Sequence, residues 1–331
     1  MKKNNSFFSC CLIVIIIITT VVTISAYYVY QQLSYRTPHD SIVNIEAGDG
    51  LATISQKLYQ VAAIPSINAF NVYTYLGHNY QNFIAGQHTI PANSAMNDII
   101  NILQEIPQNE VSITIPEGQT TKDIISKISQ NTNLSEEEIS KAINSSQWHD
   151  YLDVSFTNNE QLEGFLFPDT YRFNKETNTD EVISKILDNF NQKWSQIKPT
   201  NHNLSDYDIL ILASIIEKEA ASDNERAEIA GILINRLDNG MYLGVNATIN
   251  YILDKPQSFF NNNETSIDSP YNSYTNLGLP PTPICNPGLK SIEAAANPSP
   301  TDNFYYFHTP DGQVVFSQTL DEHNEQLAKY Y

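Results

Sequence analysis

The apolar positions of this 331-residue chain fall into three regimes. Ile, Val, Leu, Phe, Thr and Tyr dominate from Phe7 to Val29, and no charge interrupts the stretch between Lys3 and Arg36. A helix across a bilayer core takes roughly 20 apolar residues, whereas the apolar part of a cleaved signal takes about 7–15. The run therefore predicts a single transmembrane anchor at 7–30. Lys2 and Lys3 precede it, which places residues 1–6 in the cytoplasm and the body of the chain on the extracytoplasmic side. Tyr27, Tyr28 and Tyr30 suit the far interface, and Cys10 and Cys11 read as ordinary span residues.

The second regime alternates. Val43-Asn-Ile-Glu-Ala-Gly48, followed by Ile54, Lys57 and Leu58, recurs as Ile113-Thr-Ile-Pro-Glu-Gly118, followed by Ile124, Lys127 and Ile128. Each copy reads as a half-buried strand, a glycine turn and a helix. Two small α+β modules are thus expected, at 38–108 and at 109–155, the second ending in a helical connector over Asn131–Trp148. The Gly-Asp-Gly-Leu and Gly-Gln-Thr-Thr steps that open the helices resemble glycan-binding modules of LysM type; the plainer alternative is a pair of modules that only pack. The third regime is aromatic and proline-rich around two long helical patterns, Asp180–Ile197 and Ser205–Asn239, and predicts a larger mixed α/β domain at 156–331. The fold class expected is α+β.

Charge narrows the partners. Asp and Glu outnumber Lys and Arg by 37 to 18, a formal charge of −19 with no basic run. Nucleic acid is excluded, because affinity for it comes largely from neutralised phosphates; a neutral polymer such as a glycan is not. Cys285 is the only cysteine outside the apolar run, so the exported body has no internal disulfide. His308 and His323 lack metal-ligand spacing and read as structural, and no metal is expected.

Ser205-Asp-Tyr-Asp208 opens the second long helix with an N-cap and an acid at its third position. The helix continues to Glu217-Lys-Glu219. At 100° per residue, Glu219 shares a face with Leu212 and Ile215, while Glu217 falls roughly opposite. A carboxyl set against aliphatic side chains has its charged form disfavoured and its pKa raised toward that of a general acid. Glu219 is the better candidate, against the bland alternative of a solvated charge paired with Lys218 or Arg226.

Three blocks, Leu162-Glu-Gly-Phe-Leu-Phe-Pro-Asp-Thr-Tyr171, Ala213-Ser-Ile-Ile-Glu-Lys-Glu219 and Ser269-Pro-Tyr-Asn-Ser-Tyr-Thr-Asn-Leu-Gly-Leu-Pro-Pro281, resemble the MltG (YceG-like) endolytic murein transglycosylases in content, order and spacing. Asn235-Arg236-Leu237, the run from Gly240 and the tail from Phe304 to Asn324 extend the likeness to nearly the whole chain. The resemblance implies a membrane-anchored, cofactor-free lyase that cuts the MurNAc-β-1,4-GlcNAc bond inside nascent glycan strands. It implies 1,6-anhydro-MurNAc ends, an end to strand elongation, and work beside peptidoglycan synthases in the bacterial plasma membrane. It also implies that Glu219 is the catalytic residue, acting first as acid and then as base.

Substrate contacts are expected from Glu163, Asp169 and Tyr171 in the first block and from Tyr274, Thr275 and Asn276 in the third. Asn246 belongs with them, although this chain has Asn246-Ala247 where the family commonly shows Asp-Pro. Two other readings compete. A non-catalytic wall-binding scaffold would keep the modules and dispense with Glu219. A pyridoxal-phosphate lyase would need a glycine-rich phosphate loop, and none is present.

Overall fold

The computed structural model describes residues 16, 18–24, 27–28, 30–77, 82–107, 109–152, 162–199, 204–255, 257 and 260–331. The span predicted at 7–30 lies largely outside these residues. Its described part is helical, with Ile16, Ile18, Val21, Val22 and Ile24 all exposed. Among the described residues no helix is long and apolar enough to cross a membrane. The chain divides into two units, residues 1–111 and 112–331.

In the first unit, β1 (Ser41–Ile45) pairs antiparallel with β2 (Gly86–Ile90), Ser41 opposite Ile90 and Ile45 opposite Gly86. Between them run α1 (Leu51–Gln60) and α2 (Ile67–Leu76), and α3 (Met96–Gln104) follows. Val43 and Ile45 point inward on alternate positions, and Met96, Ile99, Ile100 and Leu103 form a helical stripe. Both faces close on Ile54, Leu58 and Phe70 to make one core. Gly48, at φ 93°, turns the chain from β1 into α1 in a left-handed conformation that costs a residue with a Cβ.

The second unit opens with the same order of elements. β3 (Glu110–Thr114) shares a two-stranded sheet with β4 (Thr170–Asn174), and α4 (Thr121–Asn131) and α5 (Glu136–Ile143) lie between them in sequence. α6 (Thr179–Trp194) follows β4 as α3 follows β2. Gly118 repeats the positive φ of Gly48, at 76°. The strand that completes the second repeat therefore comes from beyond residue 155, where the sequence pattern had shown only an aromatic block. The helix expected over Asn131–Trp148 begins at Glu136 instead. Ser135 and Glu138 cap it reciprocally, and a single 3₁₀ turn at Ser146–Trp148 replaces its last part.

α7 (Asp206–Glu219) is the centre of this unit. Tyr207 and every residue from Ile209 to Ile216 are buried, so the helix is covered on all sides, as its nearly continuous apolar sequence requires. α8 (Arg226–Asp238), α9 (Asn246–Leu253) and α10 (Leu289–Ala296) pack against it. A hairpin of β5 (Tyr305–His308) and β6 (Val314–Ser317) and a final α11 (Leu320–Tyr330) complete the chain. The helix expected from Ser205 to Asn239 is in fact two. Ala220 is extended at φ −77° and ψ 128°, and the Glu225 carboxylate accepts the Ala221 and Ser222 N–H groups that a continuing helix would have used.

Leu212 lies in the middle of α7 with no exposed surface. Leu212→Ala is expected to cost about 3 kcal/mol of unfolding free energy through lost burial and an unfilled cavity. Urea denaturation would show this as a lower midpoint at an unchanged slope.

Candidate active site

The break after α7 leaves Glu219 as the last residue of a buried helix, and the start of α9 meets it there. Glu219 Oε1 accepts the Ala247 N–H at 3.1 Å, and Oε2 accepts the Tyr306 hydroxyl at 2.9 Å. Burial holds this carboxyl above the usual glutamate range; the Tyr306 hydroxyl, the Ala247 N–H and the nearby His308 and Arg236 pull it back in part. The two helix ends act in opposite senses. The C-terminus of α7 disfavours the anion, and the N-terminus of α9 favours it.

The donors are themselves built in. Asn235 Nδ2 on α8 donates to the Thr301 and Asn303 carbonyls, and Arg236 Nε donates to the Phe304 carbonyl at 2.6 Å. These bonds hold the segment entering β5 and so set where Tyr306 emerges. Burial and the neighbouring Glu219 push the Tyr306 phenol well above its ordinary value, so it stays a neutral donor. The start of α9 is fixed from the other side. Val245 N–H donates to Ser273 Oγ at 3.0 Å, Ser273 and Thr248 share a hydrogen bond at 2.8 Å, and Tyr274 donates to Asn246 Oδ1 at 2.6 Å. Asn272, fully buried, ties this loop to the Thr265 and Ile267 carbonyls.

Glu217 points elsewhere, as the helical wheel requires. It accepts from the Gly288 N–H at 3.0 Å and Ser291 Oγ at 2.7 Å and lies 3.6 Å from Arg226, an entirely structural set of partners. His308 contacts Glu225 at 3.2 Å, and His323 packs against Tyr305 and Phe307. Among the described residues no three His, Cys, Asp or Glu side chains are grouped to hold a metal ion. Cys285 is buried, its thiol donating to the Ser214 carbonyl.

Of the residues expected at the site, the structure gathers Glu219, Asn246 and Tyr274. Thr275 and Asn276 are exposed on the adjoining loop, and the Asn276 amide is spent on the Ser269 and Asn272 carbonyls. Asp169 and Tyr171 lie apart, bonded to Asn189 of α6, and the Tyr171 hydroxyl donates to the Phe167 carbonyl. Glu163 is 3% exposed and accepts the Thr121 N–H at the start of α4 and Asn286 Nδ2. Tyr306, Arg236 and the Ala247 N–H were not singled out from sequence. The motifs around Asn235-Arg236 and Phe304 marked the region, but nothing in them says which tyrosine of the strand faces the carboxyl.

Burial pushes the Glu163 carboxyl up to about 8, against the opposing pull of the Thr121 N–H. An unfolded glutamate titrates near 4.3. The folded state therefore binds the proton more tightly, and the stability this group contributes is complete below about pH 4 and is lost as pH rises to about 8. Glu163→Gln keeps an acceptor for the Thr121 N–H and removes the titration. Its melting temperature is expected to fall less than that of the unmutated chain between pH 5 and pH 8, measured by thermal denaturation across that range.

A family model described as the YceG-like family matches residues 43–329. An endolytic murein transglycosylase of Bacillus subtilis is 32% identical over 307 residues, covering 87% of this chain and 84% of its own length. An endolytic murein transglycosylase of Streptococcus pneumoniae is 28% identical over 321 residues, and the chain spans 58% of that longer relative. The crystal structure of a yceG-like protein from Listeria monocytogenes matches with a TM-score of 0.58 at 28% identity, over 87% of this chain and 98% of that one. With the match running through both units and across Glu219, the chain belongs to the YceG-like family.

Proposed function

We propose that this chain is an endolytic murein transglycosylase whose single acid–base residue is Glu219. The observation that carries this reading is the carboxyl itself: half-buried at a helix end, raised in pKa by desolvation, and met on each oxygen by one fixed donor. Burial favours the neutral acid that must first protonate the glycosidic oxygen. Once the proton has gone, the Ala247 N–H and the Tyr306 hydroxyl stabilise the carboxylate that remains. That carboxylate then takes the proton from the C6 hydroxyl of the same muramic acid sugar as the hydroxyl closes onto the anomeric carbon. The product is a 1,6-anhydro ring and no water is consumed. A hydrolase with two carboxyl groups would need a second one free to act, and Glu217 and Glu225 are both committed to backbone and side-chain partners.

The rest of the proposal follows the same substrate. Asn246 and Tyr274 line the approach to Glu219, with Thr275 and Asn276 on the adjoining loop. Glu163, Asp169 and Tyr171 act by holding α4, β4 and α6 in place. The first unit, with its strand–helix–helix–strand order, is a LysM-like glycan holder, and the module that begins at residue 109 extends to β4. An anchor at 7–30 keeps the enzyme at the plasma membrane beside the synthases that make its substrate; the exposed apolar side chains of Ile16, Ile18, Val21, Val22 and Ile24 support it.

Full-length protein acting on uncross-linked glycan strands is expected to yield anhydro-ended products by mass spectrometry, and Glu219→Gln none. Reducing ends would mean hydrolysis, and no cleavage by the unmutated chain would leave a wall-binding scaffold. Tyr306→Phe removes a donor to the Glu219 anion. Its kcat is expected to fall about tenfold with KM little changed, and the alkaline limb of its kcat/KM profile to move to higher pH, because the charged form is less favoured.

A further inference from the structure

Next to the start of α9, wholly within residues 112–331, lies a cleft of about 1110 Å³ between α4, α5 and α9. Two of its lining residues tie it to the candidate acid. Ala247, whose N–H bonds Glu219, is one, and Lys218, the preceding residue in the chain, is the other. The chain carries 18 Lys and Arg against 37 Asp and Glu, yet Lys122, Lys218 and Lys255 all line this one cavity.

Lys122 is neutralised by Asp254. Lys218 and Lys255 are exposed, and among the described residues neither makes an ion pair or a side-chain hydrogen bond. Of the acids beside them, Asp123 caps α4, Glu163 holds the Thr121 N–H, Glu264, which feels the Lys255 charge, is bonded to Gln257 and Asn261, and among the described residues Glu136 makes no ion pair or side-chain hydrogen bond. The N-terminus of α4 opens onto the same space. Thr121 there is 7% exposed, and its N–H is already taken by the Glu163 carboxyl. Two unpaired ammonium groups on one cavity give it counter-charges for a carboxylate.

We propose that this cleft is a subsite for the carboxylate-bearing peptide stem of the substrate, with Lys218 and Lys255 as its counter-charges. The identity of the ligand rests on the murein reading. In murein the stem leaves, through a lactyl ether, the same muramic acid ring whose glycosidic bond Glu219 would protonate. A strand seated on Glu219 therefore directs its stem to the immediate surroundings of that residue, where Lys218 and Ala247 open the cleft. The enzyme would thus prefer strands that still carry their peptides, as newly made ones do.

The test is isothermal titration of a soluble, sugar-free stem peptide into the full chain, into Glu219→Gln and into the Lys218→Gln/Lys255→Gln double variant. The lysines are exposed, and thermal melting checks that the double variant is folded. Binding to the unmutated chain and to Glu219→Gln is expected, with roughly tenfold weaker binding to the double variant. A peptide with its carboxylates amidated should lose the same factor on the unmutated chain. No binding, or equal binding by the double variant, would overturn the assignment. Strand cleavage in the same preparations tests the catalytic reading separately: peptide binding without cleavage would sink that reading and leave the cleft in place.

Discussion

In the proposed mechanism one carboxyl group is neutral in one step and charged in the next; that needs surroundings that tolerate both states, and the corner between α7 and α9 has groups of both kinds. Burial at the end of α7 raises the cost of the Glu219 anion. The Ala247 N–H and the Tyr306 hydroxyl lower it again without being charged themselves. A full positive charge in direct contact would hold the carboxylate too firmly to take up a proton, and bare aliphatic surroundings would hold the acid too firmly to release one. Neutral donors on both oxygens lie between these extremes.

Much of the second unit can be read as the means of holding that corner. α7 is buried on all sides, so its end cannot drift. The Glu225 carboxylate takes up the N–H groups released where the helix stops. Asn235 and Arg236 fix the backbone that leads to Tyr306, and Ser273 with Tyr274 fixes the first turn of α9. The blocks that make this sequence resemble its family are therefore largely supports: a Glu-Lys-Glu step in which one glutamate faces the site and the other locks α10, and a Tyr-Asn-Ser-Tyr loop that clamps a helix N-terminus. Ala247 has a particular place here. Its backbone N–H is a donor to Glu219, which a proline at this position could not offer.

The repeat shows how one pattern is put to two uses. Both copies run strand, helix, helix, strand, helix, and both turn on a glycine of positive φ. The first closes its own core around Phe70. The second takes its return strand from residues 170–174 and continues into α6, so it is built into the larger unit. The N-terminus of its α4 is thereby brought onto the cleft beside α9.

The sequence by itself determined what depends on neighbours in the chain. Alternation gave β1 and β3, the cap at Ser205 gave the start of α7, and the helical wheel separated Glu219 from Glu217. It did not determine the break after Glu219, because the Ala220–Asp238 stretch keeps helical spacing and only the buried Glu225 carboxylate stops the helix. Nor did it reveal that Glu163, Asp169 and Tyr171 lie among structural partners while Asn246 and Tyr274 meet beside Glu219. Tyr306 is separated from Glu219 by 87 residues. A contact of that span is set by how α8 and the hairpin pack, which no local periodicity records.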